Sequence, residues 1–125
     1  MSSSRERLAA LIEPMLPEAW RGRIEKYTVR NIGTLSQPAV FIDYTTMSHE
    51  QMPAGALIDG HEIALVSHLT DYAKAEDDLD PTARTLVRGL DTSVEVAWSR
   101  AEKRGVGDYL AWIITVQLIS TEEQE

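Results

Sequence analysis

From Tyr109 to Leu118 the chain is apolar on both sides of a period-two ladder. Leu110, Trp112, Ile114, Val116 and Leu118 fall on one side, and Tyr109, Ala111, Ile113, Thr115 and Gln117 on the other. A strand covered on both faces needs a helix layer on one and either a second layer or a neighbouring subunit on the other. Three further stretches alternate. Ala39 to Met47 sets Val40, Ile42 and Tyr44 against Ala39 and Phe41, and Glu62 to Leu69 sets Ile63, Leu65 and Leu69 against Ala64, Val66 and His68. Val94, Val96 and Trp98 oppose Glu95, Ala97 and Ser99. Each predicts a strand, and Gly105 and Gly107 supply a turn that joins the last two into a hairpin. Ile24 to Arg30 alternates weakly and with polar residues, the pattern of an edge strand.

Helical spacing occurs twice. Leu8, Leu11, Ile12 and Met15 share one face after Ser4, the expected cap, and Pro14 and Pro17 end that helix before Trp20 turns back to the core. Thr70 or Asp71 caps a longer helix with the inward stripe Tyr72, Ala75, Leu79, Ala83, Leu86, Val87 and Leu90. Pro81 interrupts it. Either the helix kinks there, or Asp80 caps a second segment with Pro81 at its first position. These elements predict an α+β domain: a mostly antiparallel sheet of about four to five strands packed with two helices. Residues 1–125 read as a single domain with frayed termini.

Thr46 to Gly60 lacks periodicity and contains Pro53, Gly55 and Gly60, so it reads as a long loop or the flared tip of a hairpin. Its apolar members Met47, Met52, Leu57 and Ile58 suit contact with another chain, the alternative being that they pack on their own domain.

Composition removes several functions. Twenty acidic against twelve basic residues give a net charge of −8, which opposes binding to phosphate backbones. The chain has no cysteine, so disulfides, thiolate catalysis and cysteine metal sites are excluded. Hydrophobic residues at 43% and charged residues at 26% are those of a globular chain. No apolar run reaches the roughly 18 residues that span a bilayer, and the serine-rich start lacks the apolar core of a signal peptide. Synthesis in the cytosol and no membrane partner are expected.

Candidate chemistry is sparse. His49, His61 and His68 lack the spacing of a metal site, and structural or solvated roles are expected for them. Glu76, Asp77, Asp78 and Asp80 lack the glycine and closing glutamate of a calcium loop and read as a solvated helix face. Asp43 and Glu62 are placed near each other on neighbouring strands, without a pocket to separate their pKa values. No serine sits in a glycine-flanked elbow, and no glycine turn leads into a phosphate-binding helix. Arg100, Lys103 and Arg104 form a basic patch, suited to solubility or to an ion pair with another subunit; Arg100 and Arg104 join Met47, Met52, Leu57 and Ile58 as candidate interface residues. Catalytic, cofactor-binding and metal-binding residues are not assigned.

Arg5 to Trp20 (RERLAALIEPMLPEAW), Leu35 to Tyr44 (LSQPAVFIDY), Glu62 to Asp80 (EIALVSHLTDYAKAEDDLD) and Gly107 to Leu118 (GDYLAWIITVQL), taken together, resemble the tail terminator proteins of long-tailed bacteriophages, of the kind found in phages of actinobacteria. The resemblance lies in element order and diffuse apolar motifs over nearly all of the chain. It implies a virion protein, assembled in the host cytoplasm, that forms a homo-oligomeric ring, commonly a hexamer, on the head-proximal end of the tail tube. Such a ring ends tube growth and joins tail to neck, with the tail tube protein and a neck or connector protein as partners and DNA only as passing cargo. It implies no enzyme activity and no cofactor. Pro81 within the long helix departs from the pattern. The net charge adds the expectation that acidic side chains line the ring's channel. Two other readings stay open: another head-tail connector or neck protein, and a small acidic inhibitory binding module.

Overall fold

A computed structural model describes residues 3–25, 32–48 and 56–121 of the chain. Helix α1 (Ser4–Ile12) is followed by two 3-10 turns, Glu13–Met15 and Glu18–Trp20. Then come strands β1 (Ala39–Ser48) and β2 (Ala56–Val66), helix α2 (Tyr72–Asp91), and strands β3 (Val96–Val106) and β4 (Tyr109–Thr121). The strands form one sheet in the order β1-β2-β4-β3, antiparallel at every pairing, so the architecture is α+β with both helices on one side.

The cap of α1 lies one residue earlier than the spacing suggested. Ser3 Oγ accepts the Glu6 amide at 3.1 Å, which places a glutamate at the third helical position, the capping-box spacing that a cap at Ser4 would have missed. Pro14 then stands inside the first 3-10 turn, and Trp20 folds back to 1% exposure. Asp71 caps α2 by accepting the Lys74 amide at 3.2 Å. That helix runs unbroken through Pro81. Pro81 has no N–H for the Asp77 carbonyl, but both residues are exposed, so the freed acceptor lies on the solvent side of the helix.

The two faces of the ladder separate as their parity requires. Leu110, Ile114, Val116 and Leu118 of β4 join Val40, Ile42, Ile63 and Leu65 beneath Leu8, Ile12 and Trp20 and beneath Leu79, Leu86 and Leu90 of α2. On the opposite face Ala39, Phe41, Ala64, Val66, Ala111 and Ile113 form a second cluster, with Ile32 and Leu35 packed on it. The Leu35 amide donates to the Tyr109 hydroxyl at 2.8 Å and pins this segment to β4. The chain's own 32–38 segment therefore covers one end of that face.

Several expectations change. Tyr72 is 65% exposed and leaves the α2 stripe, where Thr82 is buried instead. Val94 is 97% exposed and precedes β3. β2 ends at Val66, so His68 lies beyond the strand. Of the two readings of Thr46 to Gly60 the hairpin holds: Thr46, Met47 and Ser48 pair with Gly60, Asp59 and Ile58, and residues 49–55, with Met52 and His49, lie outside the described residues. The expected edge strand Ile24 to Arg30 is described only to Glu25, where Ile24 makes a parallel bridge to Val40. The Glu25 amide donates to the Val40 carbonyl at 2.7 Å, and Val40 donates to Arg23 at 2.9 Å.

Candidate functional site

The expected interface residues divide between two opposite edges of the sheet. At the β1 edge the strand leaves its cover after Ile42, and Tyr44 to Ser48 are exposed, with Tyr44 at 45% and Met47 at 61%. Leu57 and Ile58 sit half-buried on β2 beside this strand; Ile58 is paired with both Ser48 and Ile119. Arg100 and Arg104 lie on β3, the far edge, clasping Glu102 at 2.8 and 2.7 Å. The Glu102 carboxyl is held below its ordinary value, first by the Arg104 hydrogen bond and then by Arg100.

A register relation links the two edges. Asp43 stands opposite Glu62, Glu62 opposite Thr115, and Thr115 opposite Arg100, so these four residues form one cross-strand row on one face of the sheet. Like charges directly opposite repel. Among the described residues neither Asp43 nor Glu62 makes an ion pair.

At the root of the β1–β2 hairpin, on the helix side, lies a polar knot that residue spacing did not reveal, buried at His61 and Asp59 and open to solvent at Tyr44. His61 is fully buried; its ring stacks on Tyr44 at 4.8 Å, and its Nε2 lies 3.2 Å from Ser4 Oγ at the start of α1. The Tyr44 hydroxyl donates to Asp59 Oδ1 in a short hydrogen bond. Burial pushes the His61 pKa down, with the Asp59 backbone and charge pulling up and Arg5 pushing down again. Nδ1 makes no well-formed hydrogen bond, although the Asp59 backbone lies near enough to favour the protonated ring. Burial, then the hydrogen bond to Asp59 and its charge, raise Tyr44 to about 12. A serine and a histidine in contact can form the core of an acyl-transfer site. Here the imidazole exposes no surface and the carboxylate is engaged by tyrosine, so the group acts as a structural clasp between α1 and the hairpin.

The acidic run of α2 is less solvated than its pattern suggested. Lys103 Nζ reaches Glu76 at 2.8 Å and Asp80 at 3.0 Å and lies 5.4 Å from the Trp112 ring centre. Trp112 Nε1 donates to Asp80 at 2.9 Å, and Trp98 Nε1 to Asp91 at 2.8 Å. The Trp112 hydrogen bond is the main reason the Asp80 carboxyl is held down, with Lys103 adding to it; Lys103 is raised by Glu76 and then Asp80. Asp78 accepts from Ser67 at 3.2 Å. The carboxylates thus tie α2 to the sheet.

A groove of about 690 Å³ runs between α1 and the 22–25 segment, lined by Arg5, Glu6, Glu13 and Ile24 among others. Among the described residues no histidine lines it, and Arg5 donates to the Glu25 carbonyl at 3.3 Å. Among the described residues no group of three or more His, Cys, Asp or Glu side chains could hold a metal ion, and no helix is long and apolar enough to cross a membrane. Comparison with known protein families and with curated proteins finds no match.

Proposed function

We propose that this chain is a structural ring subunit of the phage tail-terminator type, which closes the head-proximal end of a tail tube, stops its growth and joins it to the neck. The observation that carries the reading is the β1–β2 hairpin, a paired extension whose outer strand presents Tyr44 and Met47 to solvent. Ordered apolar residues on a paired edge suit a surface completed by a neighbouring protein. Neighbouring copies, the tail tube protein and a neck or connector protein are the partners under this reading, with DNA passing through a channel of acidic character. The net charge of −8 supports a second reading, a small acidic module that binds and inhibits a basic partner.

Sedimentation of the purified protein, followed by electron microscopy of the protein mixed with tail tubes, separates these readings. The ring subunit should sediment as a discrete oligomer and appear as a cap at one end of tubes of arrested length. A monomer at high concentration that leaves tubes uncapped would overturn the proposal.

A further inference from the structure

The two outer edges of the sheet match each other in direction, charge and residue count. With the order β1-β2-β4-β3 and antiparallel pairing throughout, β1 and β3 run in opposite directions. A copy placed beside another by rotation about an axis therefore brings its β1 antiparallel to the first copy's β3, with the helices of both on the same side.

The row through Asp43, Glu62, Thr115 and Arg100 reads acidic, acidic, neutral, basic from one edge to the other. Laid end to end, such rows put Arg100 of one copy beside Asp43 of the next, where two carboxylates that have no ion pair among the described residues meet an exposed guanidinium held by Glu102 on one side. Pairing of two β1 edges or of two β3 edges brings like charge to like.

Both edge strands also carry a bulge, in neighbouring intervals of the sheet: β1 between Tyr44 and Thr46, and β3 between Trp98 and Arg100. The row through Gly60 and Gln117 contains Thr46 on β1 and Ala97 on β3. Between this row and the Asp43 row, β2 runs from Glu62 to Gly60 and β4 from Thr115 to Gln117, whereas β1 runs from Asp43 to Thr46 and β3 from Arg100 to Ala97. Each edge therefore holds one residue more than the strands between them. A bulge puts its strand out of step with its own neighbour, but two edges that each carry one extra residue over this span have equal counts and can pair residue for residue.

We propose that copies of this chain join head to tail by pairing the β1 edge from Ile42 to Met47 with the β3 edge from Val96 to Ala101 of the next copy, locked by Asp43 against Arg100. This rests on the reading of the chain as a ring subunit and specifies the contact that makes the ring. The 23–25 segment occupies the β1 edge at Val40, and among the described residues Ile42 to Ser48 have no partner strand on that side. Tyr44 then stands opposite Ser99 of the adjoining copy, and Thr45 opposite its Trp98.

The test uses sedimentation of full-length Asp43→Arg, Arg100→Glu, the double variant, and a one-to-one mixture of the two single variants. Each single variant faces itself with like charge and should weaken association by about tenfold to a hundredfold. The double variant restores opposite charge. So does the mixture, because each variant's altered edge fits the unlike edge of the other, and this rescue also shows that both single variants are folded. Single variants that associate as well as the unchanged protein, or singles that neither the double change nor mixing rescues, would overturn the proposal. A ring that obeys this charge logic but leaves tail tubes uncapped would uphold the contact and overturn the tail-terminator reading. A capping ring indifferent to these charges would do the reverse.

Discussion

Gly89 lies within α2 where the helix meets the first 3-10 turn. A Cβ at this position would stand 2.9 Å from Met15 Cγ and 3.0 Å from its Cβ and Sδ. Two effects of opposite sign compete in Gly89→Ala. Glycine in a helix interior costs about 1 kcal/mol relative to alanine, so propensity alone favours the substitution. The new methyl, however, enters space that Met15 already fills, and overpacking of this kind costs roughly 1–3 kcal/mol. Met15 Cγ and Sδ can swing aside, but its Cβ moves only with the backbone of the turn, so packing wins. The expected net loss is about 1 kcal/mol, or roughly 3–6 °C in Tm for a domain of this size. In a Met15→Ala background the obstacle is gone, and Gly89→Ala should instead gain about 1 kcal/mol. Urea denaturation of the four proteins in the cycle should give a coupling of about 2 kcal/mol between the two sites. If Gly89→Ala stabilises the otherwise unchanged protein, or if the two substitutions simply add, the tight contact between helix and turn is wrong.

Two predictions concern the clasp at the hairpin root. Burial lowers the His61 pKa from 6.5, so between that value and the lowered one the unfolded chain binds more protons than the folded chain. The stability this confers is complete above about pH 6.5 and is lost as pH falls toward the folded value, by at most about 1.4 kcal/mol per pH unit. His61→Gln should flatten this part of a plot of urea midpoint against pH, and an unchanged slope would show that another group sets it. The Tyr44 phenol, raised to about 12, should ionise in an absorbance titration well above the ordinary tyrosine value of 10.0; Tyr44→Phe should delete that phase. Asp59→Asn should move the phase down without bringing it to 10.0, because burial is the largest cause, and full normalisation would contradict that order.

Parity made the sheet faces legible in the sequence, and its failures have local causes. Gly60 read as a breaker because glycine punctuates turns, yet it lies inside β2, where a Cβ would come 2.0 Å from Thr46 Oγ1. The glycine permits close approach across a bulge, and no one-dimensional pattern distinguishes that use from a turn. Tyr72 matched the α2 stripe in spacing but sits at the first residue of the helix, past the edge of the packed layer. The clasp was partly within reach. Once Asp43 is set beside Glu62, antiparallel pairing obliges Tyr44 to stand opposite His61, and the stack follows. Ser4 could not be anticipated in this way, because its meeting with His61 depends on how α1 crosses the sheet. The Asp43 to Arg100 row was also beyond pattern reading, since it depends on a bulge near Trp98 that alternation does not mark.

Bulges and charges on a sheet edge have a well-understood defensive use, because they prevent an open strand from recruiting any chain that drifts past. Each edge here, taken alone, fits that use: β1 is bulged beside Asp43, and β3 is bulged beside Arg100. Defence requires only that each edge discourage pairing. It does not require that both edges take their extra residue within the span from the Asp43 row to the Thr46 row, or that opposite charges occupy one row. Those coincidences matter only if the edges meet, and then they give one contact two properties. Like edges repel, which blocks two-fold dimers, while unlike edges pair in step, which leaves head-to-tail addition as the favoured route. Such a contact is heterologous, and it yields a closed ring when the rotation between copies closes and an open filament when it does not. A single sedimenting species of fixed mass would therefore establish closure, whereas a mass distribution that lengthens with concentration would mean that the same edge pairing builds a filament.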